Sequence, residues 1–496
     1  MKVLIVAPYA YNHYHFETDL ELAQCHLDAG DHVTLLACNA HLAACDINID
    51  HLPGTCLSCI SRRRIGVRKL SSRIEVLPII RLGPKDREAL ASARTTFSDL
   101  DDLRSYYFRS FDVGYAVLSS LVSQTRNPYP SLAQQAGRSR RLVLASLSVF
   151  LSVGRLLINE DFDRVYVFNG RFAPLRAVLR ACQERGVDCF LHDRGSTIEK
   201  YALYENCLPH EVKKTGERIQ LAWDTASDSS DRYGIASRFF SERASGISKN
   251  WVSFVNHQER GRLPDTWNPD NHNVVIYTSS EDEMVAISDE WQNPIYRDQV
   301  DGLEQIVAGA RGYPGLRVFI RMHPNLRNHM GEDVKRAMAL HGEKIEVIPA
   351  TSKVNSYDLL LNADRVLTFG SSIGIEAAYW GKPSILAGNC FYRGLGSTYN
   401  PTSHDELMNL LTDTLEPLDK LGALKFGYYM ATLGVSFRHY QPTGLFEGRF
   451  RGNLIKPGVI ARLVEVGLRT SIGRLPRSII RSISLLHVMR RAPRKR

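Results

Sequence analysis

The chain contains no uncharged apolar run of about eighteen residues, the length that carries a helix across a bilayer. Its longest apolar stretch, LVLASLSVFLSVG before Arg155, falls short of that and reads as a buried helix. A secretory leader is not expected either. The opening MKVLIVAPYAYNHYHFE turns polar and aromatic too early and reads as a first buried strand, which points to the cytoplasm. In that compartment nine cysteines argue against a disulfide framework. No internal repeat is visible. No D-x-D motif stands out as a metal site; Asp161-Phe162-Asp163 has the pattern but sits in a polar turn before a strand. The net charge of +9 comes without aromatic–basic alternation or a nucleic-acid-binding motif, so no nucleic-acid partner is expected. The surplus gathers in residues 60–69, in 137–141 and toward the C-terminus, which suits an anionic membrane surface or a phosphate-bearing substrate.

What is present is an α/β pattern in two halves. At 496 residues the chain exceeds one ordinary core. Apolar runs at 2–7, 32–37, 73–80, 164–169 and 187–192 read as strands, with helices at 17–29 and 172–185 between them. Residues 38–70 form a Cys- and Arg-rich insertion, and 84–160 a helical one that shapes a lid or acceptor surface or simply packs. Helix is also expected over 229–255. The polar, Pro-containing stretch 256–272 has the composition of a linker. Strands at 273–278, 316–320, 345–348 and 365–369 then alternate with helices at 296–310, 331–342, 356–362, 374–380 and 405–414. The expected division is a domain over 1–255, a linker over 256–272, a second domain over 273–455 and a basic amphipathic tail over 456–496.

Two stretches of the second half carry chemistry. Arg321-Met322-His323-Pro324-Asn325 follows the strand LRVFI, and Thr368-Phe369-Gly370-Ser371-Ser372-Ile373-Gly374-Ile375-Glu376 follows DRVLTF. Loops at the carboxyl ends of parallel strands are where open α/β sheets bind ligands. The first offers a cation and an imidazole. The second offers two hydroxyls, glycines and the start of a helix, the components of a phosphate site. Together they read as a nucleotide-sugar site. His323 would meet a phosphate oxygen, with Pro324 fixing the backbone and Asn325 completing the loop. Ser371, Ser372 and the backbone through Gly374 would cradle the phosphate, and Glu376 would accept from a ribose or merely sit well in the helix dipole. If strand alternation persists, Arg321 points away from His323. No cofactor is required in this scheme, and the leaving charge is met by fixed donors without a metal. Separately, Cys38, Cys45, Cys56 and Cys59 offer four thiols that hold a structural zinc or remain free.

RMHPN, then TFGSSIGIEAAYWGKPSILAG, then FYRGLGSTYNP resembles the C-terminal half of bacterial capsule and surface-polysaccharide glycosyltransferases. The wider group includes CMP-sugar transferases with His-Pro and Ser-Ser motifs, such as Kdo- and sialyltransferases. The resemblance covers residues 270–405 well and 1–255 only generally. It implies a GT-B fold, two facing Rossmann-like domains with the donor held mainly by the second. It also implies donor-binding roles for His323, Pro324, Ser371, Ser372 and Glu376.

In such enzymes the base lies on a loop of the N-terminal domain. The candidates here are Asp193, Glu17 and His192; Arg171, Arg194 and His15 are candidates for the substrate. Helix capping by Glu17 and ion pairing of Asp193 with Arg194 or Arg171 are the structural alternatives. The expected partners are a nucleotide sugar, a polysaccharide or lipid-linked glycan acceptor, and the anionic inner face of the membrane through the tail. Competing readings are a UDP-sugar 2-epimerase, whose double-Gly loop this SSIGIE lacks, a polyol-phosphate transferase of teichoic-acid type, and a non-catalytic binding subunit.

Overall fold

The computed structural model describes residues 1–227, 231–247, 249, 253–328 and 331–470. Residues 471–496 of the expected tail lie outside them. The chain forms two units. The first comprises Met1–Thr125, Tyr129–Pro209 and Gly434–Arg496; the second comprises Arg126–Pro128 and His210–Leu433.

In the first unit the elements run β1 (Lys2–Ala7), α1 (His15–Asp28), β2 (His32–Ala37), α2 (Pro53–Val67), β3 (Glu75–Pro78), α3 (Pro84–Ala91), α4 (Leu100–Arg104), α5 (Val113–Thr125), α6 (Leu132–Asn159), β4 (Arg164–Phe168), α7 (Ala173–Arg185), β5 (Asp188–Arg194) and β6 (Lys200–Glu205). The second unit contributes α8 (Val212–Asp224), α9 (Arg232–Ala244), β7 (His272–Tyr277), α10 (Gln299–Ala310), β8 (Leu316–Arg321), α11 (Glu332–Met338), β9 (Ile345–Ile348), α12 (Ser356–Asn362), β10 (Arg365–Thr368), α13 (Ile373–Tyr379), β11 (Ser384–Leu386), α14 (His404–Thr412) and α15 (Leu421–Thr432). The chain then re-enters the first unit with β12 (Val435–Ser436), β13 (Tyr440–Gly444), β14 (Glu447–Phe450) and α16 (Val459–Thr470).

The first sheet has the order β12-β6-β5-β4-β1-β2-β3. Strands β1 to β5 are parallel, while β6 and β12 add antiparallel at one edge. The strands read as unbroken apolar runs because both faces are covered: Val3 to Val6 are wholly enclosed. From β1 the chain winds outward through β2 and β3. The helices α3 to α6 then carry it back to β4, on the other side of β1, so the helical insertion is this crossover. Helix α6 is long and apolar enough to cross a membrane by composition, yet 78% of its most apolar stretch is buried inside the protein; its apolarity serves packing.

The second sheet is wholly parallel, in the order β11-β10-β7-β8-β9. Each unit is thus Rossmann-like, with its own switch point: between β1 and β4 in the first, between β7 and β10 in the second.

Two boundaries differ from the expectation. The division falls at Pro209/His210, and residues 256–272 lie within the second unit, where the tilted rings of Trp267 and Phe319 pack 4.7 Å apart and Asn273 Nδ2 donates to Asn268 O at 2.8 Å. Polar composition marked a surface loop there. The second unit ends at Leu433, because the segment after it is claimed by a buried carboxylate of the first: Glu21 accepts the backbone N–H of Arg438 (2.7 Å), His439 (2.9 Å) and Tyr440 (2.8 Å). Of the helix expected over 229–255, the described residues show α9 and a short 3-10 turn, Phe254–His257, while 229, 230, 248 and 250–252 lie outside them.

Candidate functional site

In the second unit, β10 and β8 flank β7, so their loops emerge from one edge about 10 Å apart, two strand spacings. The end of β7 joins them. Thr278 Oγ1 accepts the backbone N–H of His323 at 2.8 Å. The next residue, Ser279, stands against the other loop: a Cβ on Gly370 would lie 3.7 Å from its Oγ. That hydroxyl is buried and without a hydrogen-bond partner. A buried polar atom left unpaired at a switch point is a place prepared for a ligand. Nothing in the run SSEDE itself distinguishes Ser279 from its neighbours.

His323 has a defined tautomer. Its Nδ1 accepts the N–H of Asn325 at 3.2 Å, so the proton sits on Nε2, available as a donor. Burial holds its pKa down to about 4, Asp282 opposing and Arg321 assisting. It therefore offers a neutral N–H at pH 7. Phe254 packs edge-on to the ring at 5.6 Å, and Asn325 Nδ2 donates to Glu283 Oε1 at 2.8 Å. Pro324 opens the short 3-10 turn after the imidazole.

Arg321 takes the opposite side. It is 2% exposed and donates to the carbonyls of Pro349 (2.6 Å) and Ser352 (3.2 Å). Enclosure lowers its pKa to about 10. It braces the loop after β9 and is not placed to bind a donor, because strand alternation turns it from the His323 side.

Glu376 also departs from its assigned role. Its carboxylate is 1% exposed and already taken: Arg243 donates through Nε (3.1 Å) and Nη2 (2.9 Å), Ser372 Oγ donates at 3.0 Å, and the Tyr357 hydroxyl bonds the other oxygen. A carboxylate so saturated has little left for a ribose. Ser372 is thereby drawn to Glu376 and does not cap α13. Ser371 faces less competition; its Oγ receives only a long 3.5 Å contact from the N–H of Ile373, while its carbonyl accepts from Tyr392 at 2.6 Å. Gly374 is required by packing, since a Cβ would lie 2.6 Å from Tyr392 Oη and 2.8 Å from Thr368 Oγ1.

The first unit has a polar edge at its own switch point. His15 opens α1 after β1, and its ring lies 3.7 Å from that of Phe168 at the end of β4. Two of the eight described non-glycine residues with positive φ lie here, Tyr14 at 72° and Asn169 at 52°, the second a residue type that takes this conformation readily. Asn169 Nδ2 donates to Asp193 Oδ2 at 2.6 Å, and the Arg194 N–H to its Oδ1 at 2.8 Å. Asp193 is only half-buried. Beside it, His192 is wholly enclosed, with Nε2 on Asp19 Oδ1 at 2.8 Å and Nδ1 unpartnered. His15 Nδ1 is likewise unpartnered, and burial lowers this imidazole to about 3.

Glu17 is not on that edge. It accepts the Tyr14 N–H at 2.9 Å and pairs with Arg62, which is itself fully buried. Its role is to cap α1 and neutralise Arg62. Arg194 lies over the Tyr14 ring at 4.2 Å and donates to Leu445 O at 2.8 Å; Arg171 lies over Phe172 at 4.7 Å. Asp163 of the D-x-D pattern bonds the Lys2 N–H at 2.7 Å, at the amino end of the sheet and away from the ligand edge.

Cys38, Cys45, Cys56 and Cys59 line a mainly apolar concavity of about 440 Å³ after β1 and β2. Cys45 and Cys56 each accept from Asn48, at 3.4 and 3.2 Å. The four thiols do not converge as a zinc set would. Among the described residues, the group with ligand atoms within 4.8 Å of one another is instead Glu21, Cys25 and His439, whose carboxylate is the one occupied by three backbone N–H groups.

Residues 275–420, which hold both loops, match the family of capsule polysaccharide biosynthesis proteins. No curated protein matches the chain. Among solved structures, it is similar to two Thermosulfurimonas dismutans KpsC structures. The beta Kdo 2,4 transferase is 16% identical, with 62% of this chain and 88% of that one covered and a TM-score of 0.38. The beta Kdo 2,7 transferase is 16% identical, covering 64% and 88%, with a TM-score of 0.34. The spinosyn rhamnosyltransferase SpnG with its aglycone is 12% identical over 87% and 96%, with a TM-score of 0.26. Likenesses this loose do not carry an activity.

Proposed function

We propose that the chain is a glycosyltransferase of capsule polysaccharide synthesis, with the second unit binding a nucleotide-sugar donor. The observation that carries this is the buried, unpartnered Ser279 hydroxyl at the β7–β10 switch point, between a loop ending in a neutral imidazole donor and one carrying Ser371. The family match over residues 275–420 supports the pathway. The donor phosphate would accept from His323 Nε2–H, Ser279 and Ser371. These fixed donors stabilise the leaving charge as the glycosidic bond breaks, and the scheme needs no metal.

The first unit would serve the acceptor, a polysaccharide or lipid-linked glycan. Asp193 is the proposed base: it is half-exposed, whereas Glu17 and His192 are enclosed. The Asp19–His192 pair beneath it holds this edge in register. Arg171, Arg194 and His15 would line the acceptor's path. The setting is the cytoplasmic face of the membrane.

The test is a thermal-shift panel of CMP, CDP, UDP and GDP on wild type and His323→Ala. A ligand at a hundred times its Kd stabilises by about 2.7 kcal/mol. One nucleotide should raise the melting temperature of wild type, and His323→Ala should lose both that shift and transfer while melting normally. No shift with any nucleotide, or full transfer by the variant, refutes the assignment. Transfer that EDTA abolishes would refute metal independence.

A further inference from the structure

Helix α16 presents its apolar side outward. Val459, Ile460, Leu463 and Val466 are 61%, 79%, 66% and 61% exposed. Their spacing places them on one stripe of the helix. The opposite side is fixed to α2. Glu465, 7% exposed, accepts from Tyr11 Oη at 2.9 Å and Thr55 Oγ1 at 3.2 Å. Ser58 Oγ donates to Ala461 O at 3.3 Å, and the Gly458 N–H to Ser61 Oγ at 2.9 Å. The approach is close enough that a Cβ on Gly54 would lie 2.6 Å from the Glu465 Cα. Helix α16 therefore cannot roll to hide its stripe without breaking these bonds. Scattered exposed apolar residues need no explanation, but a pinned row of four marks an interaction surface.

The sequence next to this surface indicates what covers it. Residues 471–496 hold seven arginines and one lysine, and no acidic residue. An apolar stripe followed at once by dense positive charge is complementary to one kind of surface, acyl chains beneath anionic headgroups. Apolar insertion and basic attraction are the two signals that stable peripheral binding requires.

We propose that α16 docks the first unit onto an anionic lipid bilayer, with Val459, Ile460, Leu463 and Val466 in the interface. This deepens the proposed function by naming the residues that meet the membrane where the acceptor would be held.

The test is co-sedimentation of the full chain with phosphatidylcholine vesicles, with and without phosphatidylglycerol. The wild type should sediment only with the anionic vesicles. Ile460→Ser/Leu463→Ser keeps the charge and changes only exposed positions; it should lose binding at least tenfold while melting normally. Deleting residues 471–496 should lose binding to a similar extent. Undiminished binding by the double variant overturns the proposal. So does equal binding to neutral vesicles, and so does a dimer in solution that the double variant dissolves, which would assign the stripe to a second copy. Nucleotide-induced melting shifts, a property of the second unit, should be unchanged in both variants. A failure of docking is thereby distinguished from a failure of the transferase reading.

Discussion

Replacing Glu17 by glutamine separates a structural carboxylate from a catalytic one. The native carboxylate is 4% exposed and pairs with Arg62, which is 0% exposed. Burial pushes Glu17 toward its neutral form, and Arg62 pulls it back. Glutamine keeps the shape and an oxygen for the Tyr14 N–H but leaves the Arg62 charge enclosed without a counter-charge. Removing one partner of a buried pair costs about 3–5 kcal/mol. The lower end applies here, because Arg62 still donates to Ile455 O at 2.9 Å and to Ala10 O. The urea slope of a unit this large is about 3 kcal/mol/M or more, so a loss of about 3 kcal/mol should lower the midpoint by up to about 1 M. Followed by far-UV circular dichroism, Glu17→Gln should show this loss while its folded fraction keeps full transfer activity. Glu17→Leu/Arg62→Met, which removes both charges, should recover most of the stability. An unchanged midpoint with abolished transfer would refute the argument and restore Glu17 as the base.

Three further outcomes follow from the geometry. Ser279→Ala removes an unpartnered hydroxyl, so stability should hold within about 0.5 kcal/mol, while nucleotide affinity by calorimetry falls roughly tenfold to 150-fold, as for one hydrogen bond to a charged group. Gly374→Ala places a methyl against Tyr392 and Thr368, and the overpacking should cost about 1–3 kcal/mol in urea unfolding along with donor binding. Because burial lowers His15 and His323 to about 3 and 4 from an ordinary 6.5, the unfolded chain takes up protons first as pH falls. Stability should be full above 6.5 and decline from there toward 4, and His15→Phe should flatten part of that slope in urea midpoints.

The strands that place both edges were legible because they are buried on two faces. Val3 to Val6 and Val274 to Ile276 leave no alternation to interpret. Elements that answer to distant partners were not. The antiparallel strand β6 mixes buried Tyr201, Ala202 and Tyr204 with exposed Leu203, and α8 buries only Thr215, Ile219 and Trp223, a stripe too thin to stand out. The return of the chain at Gly434 depends on Glu21 collecting N–H groups more than four hundred residues away, and no local pattern announces that.

The same distinction separates the candidate site residues. His323 and Ser371 remain candidates for the proposed donor because a strand end and a phosphate-binding residue type coincide in sequence. Arg321 and Glu376 carry suitable chemistry too, but their ligands turn out to be the fold itself: Arg321 has two carbonyls, and Glu376 has Arg243, Tyr357 and Ser372. Charge and position in a motif thus say that a residue binds something strongly, without saying what. Ser279 is the converse case. It has no charge and no motif, and it becomes informative only through an absence that burial makes costly, a hydroxyl with no partner beside Gly370. At a switch point, then, unfilled hydrogen-bonding capacity is better evidence for a ligand than residue type, and by that measure the proposed donor phosphate would sit between β7 and β10.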